Sequence, residues 1–138
     1  MSFEVFIQSF KDREFAGLPR RKVCDAFGAY LTVSEPNFWQ LRYDEANFCD
    51  IYASAHDGDD TLIDGFTVSR PCADERLWDA LASILSLGDV VFYFAGCHAP
   101  LVARSSVVQH LPPSMVEALG QPVCVTKGSE ICHHIESA

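Results

Sequence analysis

The segment Gly96-Cys97-His98-Ala99-Pro100 sets a thiol beside an imidazole among turn formers. The thiolate is the nucleophilic form of cysteine, and a nearby imidazole lowers its pKa, which is the chemistry of cysteine hydrolases and transferases. Adjacent side chains rarely face each other, so a working pair would draw on a distant histidine such as His110, His133 or His134. No Asn or Asp stands out as the third member. Cys97 with His98 is therefore the runner-up site, and no catalytic residue is assigned ahead of it.

Two further clusters suggest metals. Cys132-His133-His134, with Cys124, offers thiolate and imidazole, the ligands zinc favours, but lacks paired Cys-x-x-Cys or His-x-x-x-His spacing, and contiguous helical residues diverge. Asp57, Asp59 and Asp60 alternate around His56 and Gly58 as oxygen ligands for calcium would. An EF-hand loop needs a later glycine and a glutamate at its twelfth position, and both are missing. Asp and Gly are also what a tight hairpin turn demands. Glycine-rich phosphate loops and serine-centred elbows are absent. No metal and no cofactor are expected, and Trp39, Trp78 and Tyr93 are read as core.

The elements that position these residues follow from periodicity and punctuation. Residues 2–10 alternate as a strand with apolar residues on both faces. Pro19 suits the first turn of a short helix that Gly28 ends, with Val23 and Phe27 inward. Residues 38–43, 48–55 and 62–69 are strands separated by the polar turns Asp44-Glu45-Ala46-Asn47 and Asp57-Gly58-Asp59-Asp60, a spacing that predicts an antiparallel meander. Residues 73–87 are the clearest helix. Leu77, Leu81, Ile84 and Leu85 form its stripe, Asp74 and Glu75 occupy the first turn, and Gly88 is placed to cap the other end. The run 89–95 predicts a strand buried on both faces beside 101–104. Pro112-Pro113 opens a helix through Leu119, 122–126 is a short strand, and Ser129 is placed to cap a last helix with Ile131 and Ile135 inward. The sum is α+β: a mostly antiparallel sheet with a central meander and helices on one face or end, in one domain over 1–138.

The chain has 138 residues, 49% of them hydrophobic, enough for a core without metal or disulfide staples and too apolar for disorder. No internal repeat or linker divides it. The N-terminus lacks the basic, apolar pattern of a secretory signal, and the longest apolar run falls far short of the ~20 residues of a membrane span. A cytoplasmic protein is expected. Its six cysteines, Cys24, Cys49, Cys72, Cys97, Cys124 and Cys132, are then reduced and mostly buried.

The net charge is -9. Asp44, Glu45, Asp50, Asp57, Asp59, Asp60, Asp64, Asp74, Glu75, Asp79 and Asp89 face only Arg70 and Arg76 within 44–89, so this third of the chain carries the whole imbalance. Lys11, Arg13, Arg20, Arg21 and Lys22 cluster near the N-terminus. Such a field opposes nucleic acid and speeds encounter with cationic surfaces.

The stretch Ser69-Arg70-Pro71-Cys72-Ala73-Asp74-Glu75-Arg76-Leu77-Trp78-Asp79-Ala80-Leu81, with Arg42-Tyr43-Asp44-Glu45 before it, resembles small bacterial α+β proteins of no assigned function. In size and acidity the chain is similar in style to immunity proteins of toxin systems, a likeness of composition that transfers no binding residue.

The leading expectation is a non-catalytic cytosolic protein that uses one acidic face, formed by Asp57, Asp59, Asp60, Asp64, Asp74, Glu75 and Asp79, on a basic protein partner, as an immunity protein would. One alternative is a Cys97-dependent hydrolase or transferase. The other is a small-ligand or homodimeric protein.

Overall fold

β1 (Glu4–Lys11) lies inside the sheet with a strand on each flank, and both of its faces carry apolar residues because Val5 and Ile7 enter the main core while Phe6 stacks on Tyr93 on the other face. The computed structural model describes residues 3–137, so Ser2, expected to open this strand, lies outside the described residues. β2 (Glu14–Phe15) folds back on the end of β1 through Asp12 and Arg13, both at positive φ, and β3 (Leu18–Pro19) leads into α1 (Arg20–Phe27). Pro19 is the residue before that helix rather than its first member.

β4 (Leu31–Ser34), β5 (Phe38–Arg42), β6 (Phe48–His56) and β7 (Asp59–Ser69) form an antiparallel meander. α2 (Glu75–Leu85) then crosses to β8 (Val90–Phe94), and β1 fills the gap between β7 and β8, antiparallel to both. β9 (Leu101–Val102) extends the sheet beyond β8. After α3 (Pro113–Leu119), β10 (Val123–Cys124) adds a parallel edge to β9, and α4 (Gly128–Glu136) ends the described chain. The order is β10-β9-β8-β1-β7-β6-β5-β4, with β2 on β1 and β3 on β7 where β1 has ended. The architecture is α+β with a mostly antiparallel sheet and a central meander.

α1, α2 and α4 cover one face. Val23 and Phe27 of α1, the stripe Leu77, Leu81, Ile84 and Leu85 of α2, and Ile131 of α4 pack on Val5, Ile7, Trp39, Leu41, Ile51, Phe66, Val68 and Phe92, all fully or nearly fully buried. Each such side chain contributes about 2 kcal/mol on leaving water. A smaller cluster of Phe10, Val91, Val102, Val107 and Leu111 lies on the opposite face, beneath the α3 region.

Two helix starts differ in detail from expectation. α2 begins at Glu75 because Asp74 is its N-cap, accepting from the N–H of Arg76 at 2.9 Å, and it ends at Leu85 with Ser86 rather than Gly88 as the cap, since the chain leaves the helix without a left-handed residue. α4 begins before Ser129, at Gly128. The Glu130 carboxylate accepts from the N–H groups of Thr126 at 3.0 Å and Lys127 at 3.1 Å, so a glutamate reaching back does the work assigned to the serine.

Candidate functional site

The strand register decides where the carboxylates lie. Asp50 pairs with Ser69 at one end of β6 and β7, and His56 pairs with Asp59 at the other, so the hairpin tip and the start of α2 are separated by nearly the whole of β7, about 30 Å at 3.3 Å per residue. The seven acidic residues expected on one face therefore form two groups. Asp57, Asp59, Asp60 and Asp64 occupy the hairpin end, while Asp74, Glu75 and Asp79 lie at the α2 end with Asp44. The separation is several Debye lengths at physiological salt, so the two groups do not share a field.

The hairpin group is internally engaged. Asp64 bonds Nδ1 of His56, whose Nε2 lies 3.3 Å from Asp57. Asp59 accepts from the Thr61 N–H at 2.9 Å and its hydroxyl at 2.6 Å, which holds its carboxyl below the usual range. One of the N-terminal cations also reaches this end: Arg20 donates to the Asp60 backbone carbonyl and, through Nη1, to the Pro36 carbonyl at 2.8 Å. The hydrogen bond to Asp64, aided by the charges of Asp57 and Asp59, raises the His56 pKa in the folded protein. With its unfolded value near 6.5, the pair's contribution is complete below about pH 6.5 and is lost as pH rises through the folded pKa. An Asp64→Asn variant is expected to bring the His56 ring-proton titration midpoint down towards about 6.5. An unchanged midpoint by NMR would contradict this.

At the other end, α2 and α4 run antiparallel with a cleft of about 730 Å³ between them. Gly128 brings the two backbones together: a Cβ there would stand 2.6 Å from the Trp78 carbonyl carbon. Trp78, buried against the core, lines the cleft with Asp74, Glu75, Arg76, Asp79, Ser129, Cys132, His133 and Glu136. The one cation is committed. Arg76 binds Asp74 in two-pronged fashion, Nε to Oδ1 at 2.9 Å and Nη2 to Oδ2 at 2.8 Å, while its plane lies 4.8 Å from the Tyr43 ring and 5.3 Å from that of Tyr30. The Asp74 carboxyl is held below its usual range by Arg76.

Glu75, Asp79 and Glu136 are exposed, and among the described residues none forms an ion pair. Asp79 lies against the first turn of α4, where a carboxylate meets the positive end of that helix. The Cys132 thiol donates to Glu136 at 3.4 Å, and burial followed by that carboxylate pushes its pKa up, so it adds no charge. The cleft thus presents three carboxylates without an ion-pair partner among the described residues, beside Trp78, a composition that suits a guanidinium or ammonium group.

Cys97 and His98 do not form a pair. The Cys97 N–H closes a turn on the Phe94 carbonyl at 3.2 Å and its side chain packs on the core. His98 Nε2 meets the Ser137 carbonyl at 2.9 Å, and His134 Nε2 meets that of Ala99 at 2.8 Å, so both imidazoles serve to fasten the end of α4. The six cysteines are free thiols of unequal burial: Cys49 is buried, Cys124 is exposed and the others lie between. The exposure of Cys124 departs from expectation because β10 is a two-residue strand at the edge of the sheet, with both of its residues exposed. Among the described residues, no group of three or more His, Cys, Asp or Glu side chains is placed to hold a metal ion, and no helix is long and apolar enough to cross a membrane.

One surface was not anticipated. On the sheet face away from α1, α2 and α4, the register aligns Phe38, Tyr52, Thr67, Phe6 and Tyr93 in a single row across β5, β6, β7, β1 and β8. Phe38 and Tyr52 are 5.5 Å apart, Phe6 stacks on Tyr93 at 5.3 Å, and Tyr52 is 50% exposed. The signal in the sequence was the apolar character of both faces of β1.

In comparison with known proteins, no family model matches the chain, and no similar curated protein or solved structure was found.

Proposed function

We propose that this protein is a non-catalytic binding module that receives Arg or Lys side chains of a basic protein partner in the cleft between α2 and α4. The observation that carries the reading is the set Glu75, Asp79 and Glu136, without a cation of their own, around Trp78. The hairpin carboxylates are secondary, because His56, Thr61 and Arg20 already engage that end. A field of this sign opposes a polyanion, so nucleic acid is not the partner. The role is that of an immunity protein in the cytoplasm, the partner being a toxin whose basic surface the cleft occupies.

Chemical-shift mapping with an arginine-rich peptide tests the site. The expected result is movement of the Trp78 indole N–H and of the Glu75, Asp79, Ser129 and His133 amides, weakening as salt is added. Shifts confined to residues 57–60, or to Phe38 and Tyr52 on the open sheet face, would overturn the assignment. For the immunity role, a gene for a toxin beside this one, and protection on co-expression with it, are the expected observations.

A further inference from the structure

Cys49 near the start of β6 and Cys72 in the linker from β7 to α2 meet at the α2 end of the sheet. The register brings them there. Asp50 pairs with Ser69, which sets Cys49 level with Arg70, and the chain then turns through Arg70, at φ 50°, and Pro71 to return over β6. The Cys49 and Cys72 sulfurs lie close enough to interact directly. Cys49 is 3% exposed within the core, and Cys72, partly exposed, packs against it. The Tyr43 hydroxyl, buried and without a hydrogen-bond partner, lies close enough to feel both sulfurs. A buried, unpaired hydroxyl is an uncommon feature, and a sulfur that gains charge is a group it can serve.

We propose that Cys49 and Cys72 are a dithiol modification site, oxidised by hydroperoxides to an intramolecular disulfide. Cys49 is buried and Cys72 partly exposed, so Cys72 is the sulfur that a hydroperoxide reaches first, and the neighbouring sulfur of the pair, with burial, pushes the Cys49 thiol up while Cys72 is held below the ordinary cysteine value. Its thiolate attacks one peroxide oxygen. The O–O bond breaks, the leaving oxygen takes up a proton as water or alcohol, and Cys72 becomes a sulfenic acid. The Cys49 sulfur then attacks the Cys72 sulfur, the S–O bond breaks, and a molecule of water leaves with the Cys49 proton. Two thiols have lost two electrons and the hydroperoxide has gained them. The bridge ties the linker that carries Asp74, the cap of α2, to β6. The site stands independently of any basic partner.

The test treats the fully reduced wild-type protein, and a variant in which Cys24, Cys97, Cys124 and Cys132 are all alanine, with stoichiometric hydrogen peroxide. Alkylation under denaturing conditions and peptide mass spectrometry follow. Both proteins are expected to yield one peptide pair joined through Cys49 and Cys72, with the chain monomeric. In Cys49→Ala, Cys72 should stop at a sulfenic acid trapped by dimedone. Recovery of Cys49 as a free thiol in the oxidised wild type, or bridges formed only among the other four cysteines, would overturn the proposal whether or not the variants fold. So would the failure of dimedone to label Cys72 in a folded, peroxide-treated Cys49→Ala protein.

Discussion

Gly65→Ala is expected to destabilise the fold by about 4 kcal/mol or more, a loss at the extreme of single substitutions. Gly65 pairs with Gln8 of β1 and Ser54 of β6, so it has a strand on each side. A Cβ there would stand 2.9 Å from the Gln8 Cα and closer still to the Ile7 carbonyl oxygen. Those are backbone atoms, and β1 cannot retreat because β8 holds its other edge. Overpacked side chains can shift rotamer, whereas this contact can be relieved only by parting the central pair of the sheet. Urea unfolding should show the midpoint falling by about 2 M, given slopes of 1–3 kcal/mol/M for small proteins. Gly88→Ala is the control, since its Cβ meets only Leu18 Cδ2, at 3.2 Å, the end of a flexible side chain. Similar losses for the two variants would show that close strand approach is not the reason for glycine at 65.

The second large effect belongs to Gly128→Ala, which acts on fold and site together. An added Cβ would stand 2.5 Å from the Asp79 nitrogen and 2.6 Å from the Trp78 carbonyl carbon, both on the α2 backbone. α4 must move outward. Separation of two packed helices should cost about 3 kcal/mol and widen the cleft that Trp78 and Asp79 line. Loss of affinity for a cationic peptide should then exceed the loss seen in Ser129→Ala, which leaves the crossing intact. Unaltered stability and binding in Gly128→Ala would mean that the two helices do not approach as described.

Much of the fold was legible because local signals agree with one another. α2 combines a 3.6-residue apolar stripe with an acidic first turn, and the β5–β6 and β6–β7 connections are short and polar with Asp, Asn or Gly, so the helix and the meander followed directly. β2 and β3 carry two residues each and have no period to detect. The site was half legible. Asp74, Glu75 and Asp79 do share one surface, but their proximity in sequence to Asp57, Asp59, Asp60 and Asp64 misled, because a strand as long as β7 carries its two ends to opposite sides of the molecule. Glu136 joins the cleft only through the antiparallel packing of α4 on α2, which periodicity cannot convey. Cys49 and Cys72 meet only once the β6–β7 register is known, and so does the aromatic row of Phe38, Tyr52, Phe6 and Tyr93.

The central claim, that the α2–α4 cleft and not the hairpin is the working acidic surface, is tested most directly by one binding comparison. Fluorescence anisotropy of a labelled arginine-rich peptide would be measured against the wild type, a Glu75→Gln/Asp79→Asn/Glu136→Gln variant and an Asp57→Asn/Asp59→Asn/Asp60→Asn variant, each at low and physiological salt. Three neutralised contacts at about 0.5 kcal/mol each predict a Kd roughly tenfold weaker for the cleft variant, with a flatter salt dependence, and a change under about twofold for the hairpin variant. Equal weakening by the two variants, or a larger effect from the hairpin, would contradict the account.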